Sequence, residues 1–216
     1  MRELTCTLLA DGPSDSVLIG LLRWLLLEHT DKTAINIEFE PKNHLTSLGH
    51  SSYSASIKAA VDLFPCDLLF LHRDTEKKTR SDRINEIDRA IQEADLPRQM
   101  HVCVIPIRMT EAWFLFHEQA IRGASGNPNG KISLELPPLK KVENLPDPKA
   151  ILDNLILQAS GLGKRRLERL RPENRRKIIP DFISDYSPLR NLSAFRALET
   201  DVKKALSSLG IAVSSK

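Results

Sequence analysis

The sequence predicts an α/β fold, with a mostly parallel, Rossmann-like sheet followed by a helical C-terminal extension. Three observations carry this reading. Strand-like and helix-like segments alternate four times between residues 3 and 121, the pattern of parallel strands joined by crossover helices. Two of the strand-like segments are short continuous apolar runs, as expected of strands buried on both faces. Beyond residue 122 no further strand pattern occurs.

The elements follow in order. Glu3–Leu9 is a short apolar-rich run and reads as the first strand. Asp11, Gly12, Pro13 and Ser14 punctuate it, and Ser14 is placed to cap a long helix running to about Glu28. Ala34–Glu40 alternates Ile35, Ile37 and Phe39 with polar residues, the period of a half-buried strand. Ser51–Phe64 has Ile57, Ala60, Val61 and Phe64 at helical spacing. Asp67–Leu71 is a buried-type strand, and Ser81–Ala94 an amphipathic helix with Ile84, Ile87 and Ile91 on one face. His101–Ile107 is the fourth strand, after which Thr110 is placed to cap a helix over Glu111–Ile121. Gly123–Pro138, rich in Gly, Pro, Asn and Ser, reads as a long loop. Asp147 and Pro148 supply an N-cap and first-turn proline for a helix to about Ala159. Further helices are expected at Lys164–Leu170, Glu173–Ser184 and Ala194–Leu209. The expected organisation is an α/β core over 1–122, a loop or linker over 123–146 and a helical, basic subdomain over 147–216.

Composition narrows the function. The chain is 216 residues with 41% hydrophobic and 27% charged residues, an ordinary globular balance that excludes a disordered or collagenous protein. No apolar run approaches the roughly 20 residues needed to span a bilayer, and the N-terminus lacks a signal-peptide pattern. The expectation is a cytoplasmic protein with no membrane partner. Cys6, Cys66 and Cys103 are odd in number and widely separated, which argues for buried thiols in a reducing compartment against a disulfide framework or zinc site. Net charge is only +3, but Gly163–Lys177 sets eight basic residues against Glu168 and Glu173, so it carries +6 and the remainder −3. Lys164, Arg165, Arg166, Arg169, Arg175 and Arg176 are the candidate nucleic-acid contacts of this segment, which otherwise reads as a solvated helix face.

Ligands of open parallel sheets bind beyond the carboxyl ends of the strands. Asp11 and Asp15 follow the first strand, Asp74 and Glu76 the third, and Glu111 the fourth. With strands one and three adjacent, Asp11, Asp15, Asp74 and Glu76 converge on one crevice. Several carboxylates together repel one another, and a hard cation, Mg²⁺ or Mn²⁺, relieves this. Each acid has a plainer role as well. Asp15 complements a helix dipole, Asp74 and Glu76 are solvated loop acids, and Glu111 is a first-turn acid. His44, His72 and His101 lack metal-ligand spacing and read as structural.

A strand followed by Asp11-Gly12-Pro13-Ser14-Asp15 and a helix resembles the first motif of Toprim domains. A strand followed by Asp74-Thr75-Glu76 resembles their second motif. The closest resemblance is to compact Toprim-like proteins, relatives of the overcoming-lysogenization-defect nucleases. Those proteins carry a phrase similar to Met109-Thr110-Glu111-Ala112-Trp113-Phe114-Leu115 and another similar to Gly126-Asn127-Pro128-Asn129-Gly130. Two departures stand out: Asp11 where the family has Glu, and Glu76 where it has Asp. The resemblance implies a metal-dependent nuclease acting on DNA or RNA, in a phage-defence setting and with a partner ATPase. It implies Asp11 as general base or metal ligand, Asp15, Asp74 and Glu76 as metal ligands, and Glu111 as an accessory catalytic acid. Lys77, Lys78 and Arg80, directly after the second motif, are candidate phosphate contacts. No Walker-type loop is present, since Gly161–Lys164 lacks the spacing. The alternative, which the two departures favour, is a non-catalytic Toprim-like module that binds nucleic acid or a partner ATPase.

Overall fold

A computed structural model describes residues 2–31 and 33–214. Its four strands, β1 (Arg2–Ala10), β2 (Thr33–Pro41), β3 (Leu68–His72) and β4 (His101–Val104), form one sheet. All pairings are parallel and the order is β2-β1-β3-β4. The expected α/β class and the adjacency of the first and third strands therefore hold. The crossover reverses between β1 and β3, which makes their carboxyl ends the natural ligand crevice.

Side-chain alternation along the strands divides the core into two layers. Leu4, Cys6, Leu8, Leu68, Phe70, Val102 and Val104 face one side. There they pack against helices α1 (Leu18–His29), α5 (Glu118–Ala124), α6 (Pro148–Ser160) and α9 (Ser193–Ser208). Leu9, Leu69, Leu71, Cys103 and Ile105 face the other side. Their partners are α2 (Lys42–Ser47), α3 (Tyr53–Leu63) and α4 (Arg80–Glu93). Val142 of the 123–146 segment and Phe195 of α9 belong to the same apolar layer as Phe70. Truncating a fully buried aromatic such as Phe70 to Ala would cost about 3–5 kcal/mol.

Several local expectations need correction. Ser14 does not cap the first helix. Pro13–Val17 is a 3-10 turn capped at Gly12, and Asp15 closes it by accepting from the Gly12 N–H at 2.9 Å, so α1 begins only at Leu18. Thr110 does not cap a helix either. Thr110–Phe114 is a 3-10 turn, and His117 caps α5 by accepting from the Ala120 N–H at 3.0 Å. The two basic helices are shorter than expected, α7 at Lys164–Leu167 and α8 at Pro172–Arg176, because Pro172 and Pro180 interrupt them. The short helix α2 was not expected. The Asn127 phrase is structural. Its side-chain amide donates to the Ala159 carbonyl at the end of α6, just before Gly161 takes the left-handed conformation (φ 62°).

Cys6 and Cys103 are buried and unbridged, and burial pushes each thiol up to about 12. Both are inert as nucleophiles at neutral pH. Among the described residues no helix is long and apolar enough to cross a membrane.

Candidate acid centre at the carboxyl ends of the strands

Beyond β3 the chain stays extended. The Arg73 N–H donates to the Val104 carbonyl at 3.2 Å, and the Thr75 N–H to the Pro106 carbonyl at 3.2 Å. The two-residue alternation of β3 therefore continues past its end. His72 and Asp74 go to the α1 side and Arg73 to the α3–α4 side, so the candidate acids separate into two groups.

On the α1 side His72 is 1% exposed. Its Nδ1 lies 2.9 Å from the Val104 carbonyl and so carries the proton, because a carbonyl only accepts. Its Nε2 is 3.2 Å from the Thr110 hydroxyl and 3.7 Å from both the Asp15 and Asp74 carboxylates. The Thr110 hydroxyl donates to Asp74 Oδ1 at 3.1 Å, which is why it is not spent on capping a helix. Burial pushes the Asp74 carboxyl up to about 7, and the charges of Asp15 and Glu111 add to the rise while His72 and Thr110 oppose it. Near neutral pH the centre therefore exchanges a proton. Glu111 Oε1 lies 3.6 Å from Arg176 Nε, and Arg176 also pairs with Asp153. A narrow depression of about 20 Å³ joins Asp15, Thr110 and Glu111 to Arg176 and Lys177.

On the opposite side Arg73 pairs with Asp11 at 3.0 Å and with Glu86 at 2.8 Å. Glu86 also accepts from Arg83 at 2.9 Å and Lys78 at 3.3 Å. Burial works to raise the Glu86 carboxyl, but these cations outweigh it and hold it below the usual range. Arg83 reaches Glu76 at 3.3 Å and donates from Nε to the Asp74 carbonyl at 2.8 Å. Glu76 itself sits at φ 52°, in the left-handed region, which turns the chain out of the sheet. Arg73 also stacks 5.0 Å over the Tyr53 ring. A cleft of about 420 Å³ lies on this side, between Tyr53, Lys78, Glu86 and Arg89.

Of the expected acids, the structure brings Asp15, Asp74 and Glu111 together and holds Asp11 and Glu76 apart in arginine pairs. Asp11 and Asp74 fall on opposite sides because they follow strand positions of opposite parity. Among the described residues no group of three or more His, Cys, Asp or Glu side chains is arranged to hold one metal ion. Arg80 pairs with Asp201 of α9 at 3.0 Å and Lys78 with Glu86, so two of the three candidate phosphate contacts after the second motif are already engaged. Lys164, Arg165, Arg166, Arg169 and Arg175 are not engaged in ion pairs among the described residues. Reading the sequence alone missed His72, Arg73, Arg83 and the Thr110 hydroxyl. The available signal was parity, since a histidine two residues before Asp74 on an extended chain shares its face.

No protein-family model, curated protein or solved structure matches this chain, Toprim proteins included.

Proposed function

We propose that the chain is a metal-dependent phosphodiester-processing enzyme, a nuclease acting on DNA or RNA at the Asp15–Asp74–Glu111 centre. The observation that carries this is Asp74, a carboxyl at the crevice of a parallel sheet whose burial and acidic neighbours raise it to about 7. Such a centre has more negative charge than its surroundings neutralise, and it holds a proton or takes a cation in its place. Mg²⁺ is ordinarily held by one or two carboxylates and several waters. Asp15 and Asp74, which both face His72 Nε2 at 3.7 Å, are the two carboxylates we assign to it. When bound, the ion would polarise a phosphate and make its bound water more acidic.

The chain's own residues supply the rest. Thr110 and the Arg83 bond to the Asp74 carbonyl fix the orientation of Asp74. Glu111, whose charge adds to the rise of Asp74, is the residue we assign to moving a proton. Asp11, gripped by Arg73, orients that guanidinium and does not act as base.

Purified protein with Mn²⁺ should nick plasmid or degrade single-stranded DNA or RNA, and EDTA should stop it. Asp74→Asn and Glu111→Gln should each lower the rate at least about 100-fold, while Asp11→Asn should lower it far less. Cleavage that survives Asp74→Asn would sink the assignment. One observation favours a non-catalytic module binding nucleic acid or a partner ATPase: the two motif acids Asp11 and Glu76 are each neutralised by an arginine. Retained binding with no cleavage by wild type, alone or with an ATPase, would make that the better reading.

A further inference from the structure

We propose that α7 and α8 form a track for the phosphodiester backbone of a polynucleotide, leading into the acid centre. At its end Arg176 passes from Glu111 and Asp153 to the incoming phosphate. This rests on reading the acid centre as a phosphodiester-processing site.

Three depressions succeed one another along this part of the surface. The first, of about 480 Å³, is walled by Lys164, Arg165, Arg166 and Arg169. The second, of about 240 Å³, shares Arg169 and adds Arg171 and Arg175. The third is the narrow one at the acid centre, whose lining includes Arg176 and Lys177. Arg169 lines both the first and the second, and Arg175 of the second precedes Arg176 of the third on α8.

The charges on this path are set apart by their clustering, since cations elsewhere without carboxylate partners among the described residues, such as Arg23, Arg98 and Arg196, stand singly along the chain. Arg73, Arg80, Arg83, Arg122 and Arg190 all have carboxylate partners. Lys164, Arg165, Arg166, Arg169, Arg171 and Arg175 have none among the described residues. Six like charges without carboxylate partners repel one another, and the dipoles of two helices of four and five residues are too short to offset that. A chain of phosphates is the ligand that such a line fits, because each phosphate neutralises one cation and releases its counter-ion.

Arg176 differs from these six. It is largely buried, pairs with Asp153 and stands 3.6 Å from Glu111, longer than a hydrogen bond. A planar guanidinium takes a phosphate through two parallel N–H bonds. Transfer of that fork to a phosphate would release Glu111 beside Asp74 at the moment the substrate arrives.

The test is binding without chemistry. Labelled 20-nucleotide single-stranded DNA, the matching RNA and a 20-base-pair duplex are titrated in EDTA at 50–200 mM salt. Six contacts on a single strand give a log–log salt slope of about −4, a loss of about 300-fold in affinity over that range. The combined Arg165→Gln, Arg166→Gln and Arg169→Gln variant should be shallower by about 2, and the matching Lys variant should keep the slope. These side chains are exposed and without ion-pair partners, and a thermal melt checks that folding is unchanged. Glu111→Gln should tighten binding several-fold by freeing Arg176, and Arg176→Gln should remove that gain. An unchanged slope in the Gln variant, or binding to phosphatidylserine vesicles but to none of the polynucleotides, would overturn the track. No gain from Glu111→Gln would overturn the transfer at Arg176. Loss of cleavage with intact salt-dependent binding would refute the catalytic reading and leave the track standing.

Discussion

Asp74→Asn should make the metal-free protein more stable at pH 8 and leave it unchanged near pH 4. The folded carboxyl is raised from 3.8 to about 7, chiefly by burial. A group raised on folding contributes most below its unfolded value, and that contribution is lost as pH rises through the folded value. Wild-type stability should therefore fall between about pH 4 and pH 7, where the unfolded chain has already released this proton and the folded one has not. At 1.36 kcal/mol per pH unit the span sets a ceiling of about 4 kcal/mol. Water reaching a side chain that is 26% exposed brings the figure down toward about 2 kcal/mol. Asparagine keeps an acceptor for the Thr110 hydroxyl and carries no charge, so it escapes this loss. In a chain of this size 2 kcal/mol is a rise of about 4–8 °C in Tm. Thermal melts in EDTA at pH 4, 6 and 8 measure it. Added Mg²⁺ at pH 8 should then raise the wild-type Tm and raise that of the variant less. A variant less stable than wild type at pH 8, or a difference that does not change with pH, would refute the reasoning.

Arg83→Met should destabilise the fold by about 3 kcal/mol, read from the urea midpoint at pH 7, because it leaves the Asp74 carbonyl and Glu86 without their buried partner. A change below about 1 kcal/mol would mean that Arg73 and Lys78 suffice. Thr110→Val removes the bond that lowers Asp74, so the carboxyl should titrate above about 7 in a ¹³C NMR titration. No upward shift would mean the hydroxyl does not hold the Asp74 carboxylate. Gly161→Ala should cost about 1 kcal/mol in chemical denaturation. It would place a Cβ at φ 62° and 3.0 Å from the Asn127 amide nitrogen. No loss would show that the Asn127 bond to Ala159 does not depend on this turn.

The fold was legible because each strand core carries its period. The Ile35, Ile37 and Phe39 alternation and the apolar run before His72 are signals of burial, and burial decides where a strand lies. Helix ends were less legible. Ser14 and Thr110 have the chemistry of caps, but Asp15 closes the first turn on Gly12, and the Thr110 hydroxyl donates to Asp74 with His72 beside it. Tertiary partners outbid local ones there. The site was half legible for a related reason. Spacing from a strand end places an acid at the crevice, but parity decides which side it serves. Asp11 continues the Leu9 side of β1 and Asp74 the Phe70 side of β3.

The arginine-paired side and the acid centre are mechanically one device. Arg83 donates to the backbone carbonyl of Asp74 while its other nitrogens hold Glu86 and Glu76. Arg73, one residue before Asp74, is fixed by Asp11, Glu86 and the face of Tyr53. The backbone on both sides of Asp74 is thus pinned from the α3–α4 side, and its carboxyl is presented on the α1 side. Without those pins, repulsion from Asp15 and Glu111 would swing Asp74 toward water, and its proton affinity would fall to that of an ordinary aspartate. A neutralised Asp11 is then useful to the centre without touching it. The carboxylate that the strand pattern marks as a reacting group keeps Arg73 charged and aimed, and Arg73 in turn helps keep Asp74 where its charge is costly.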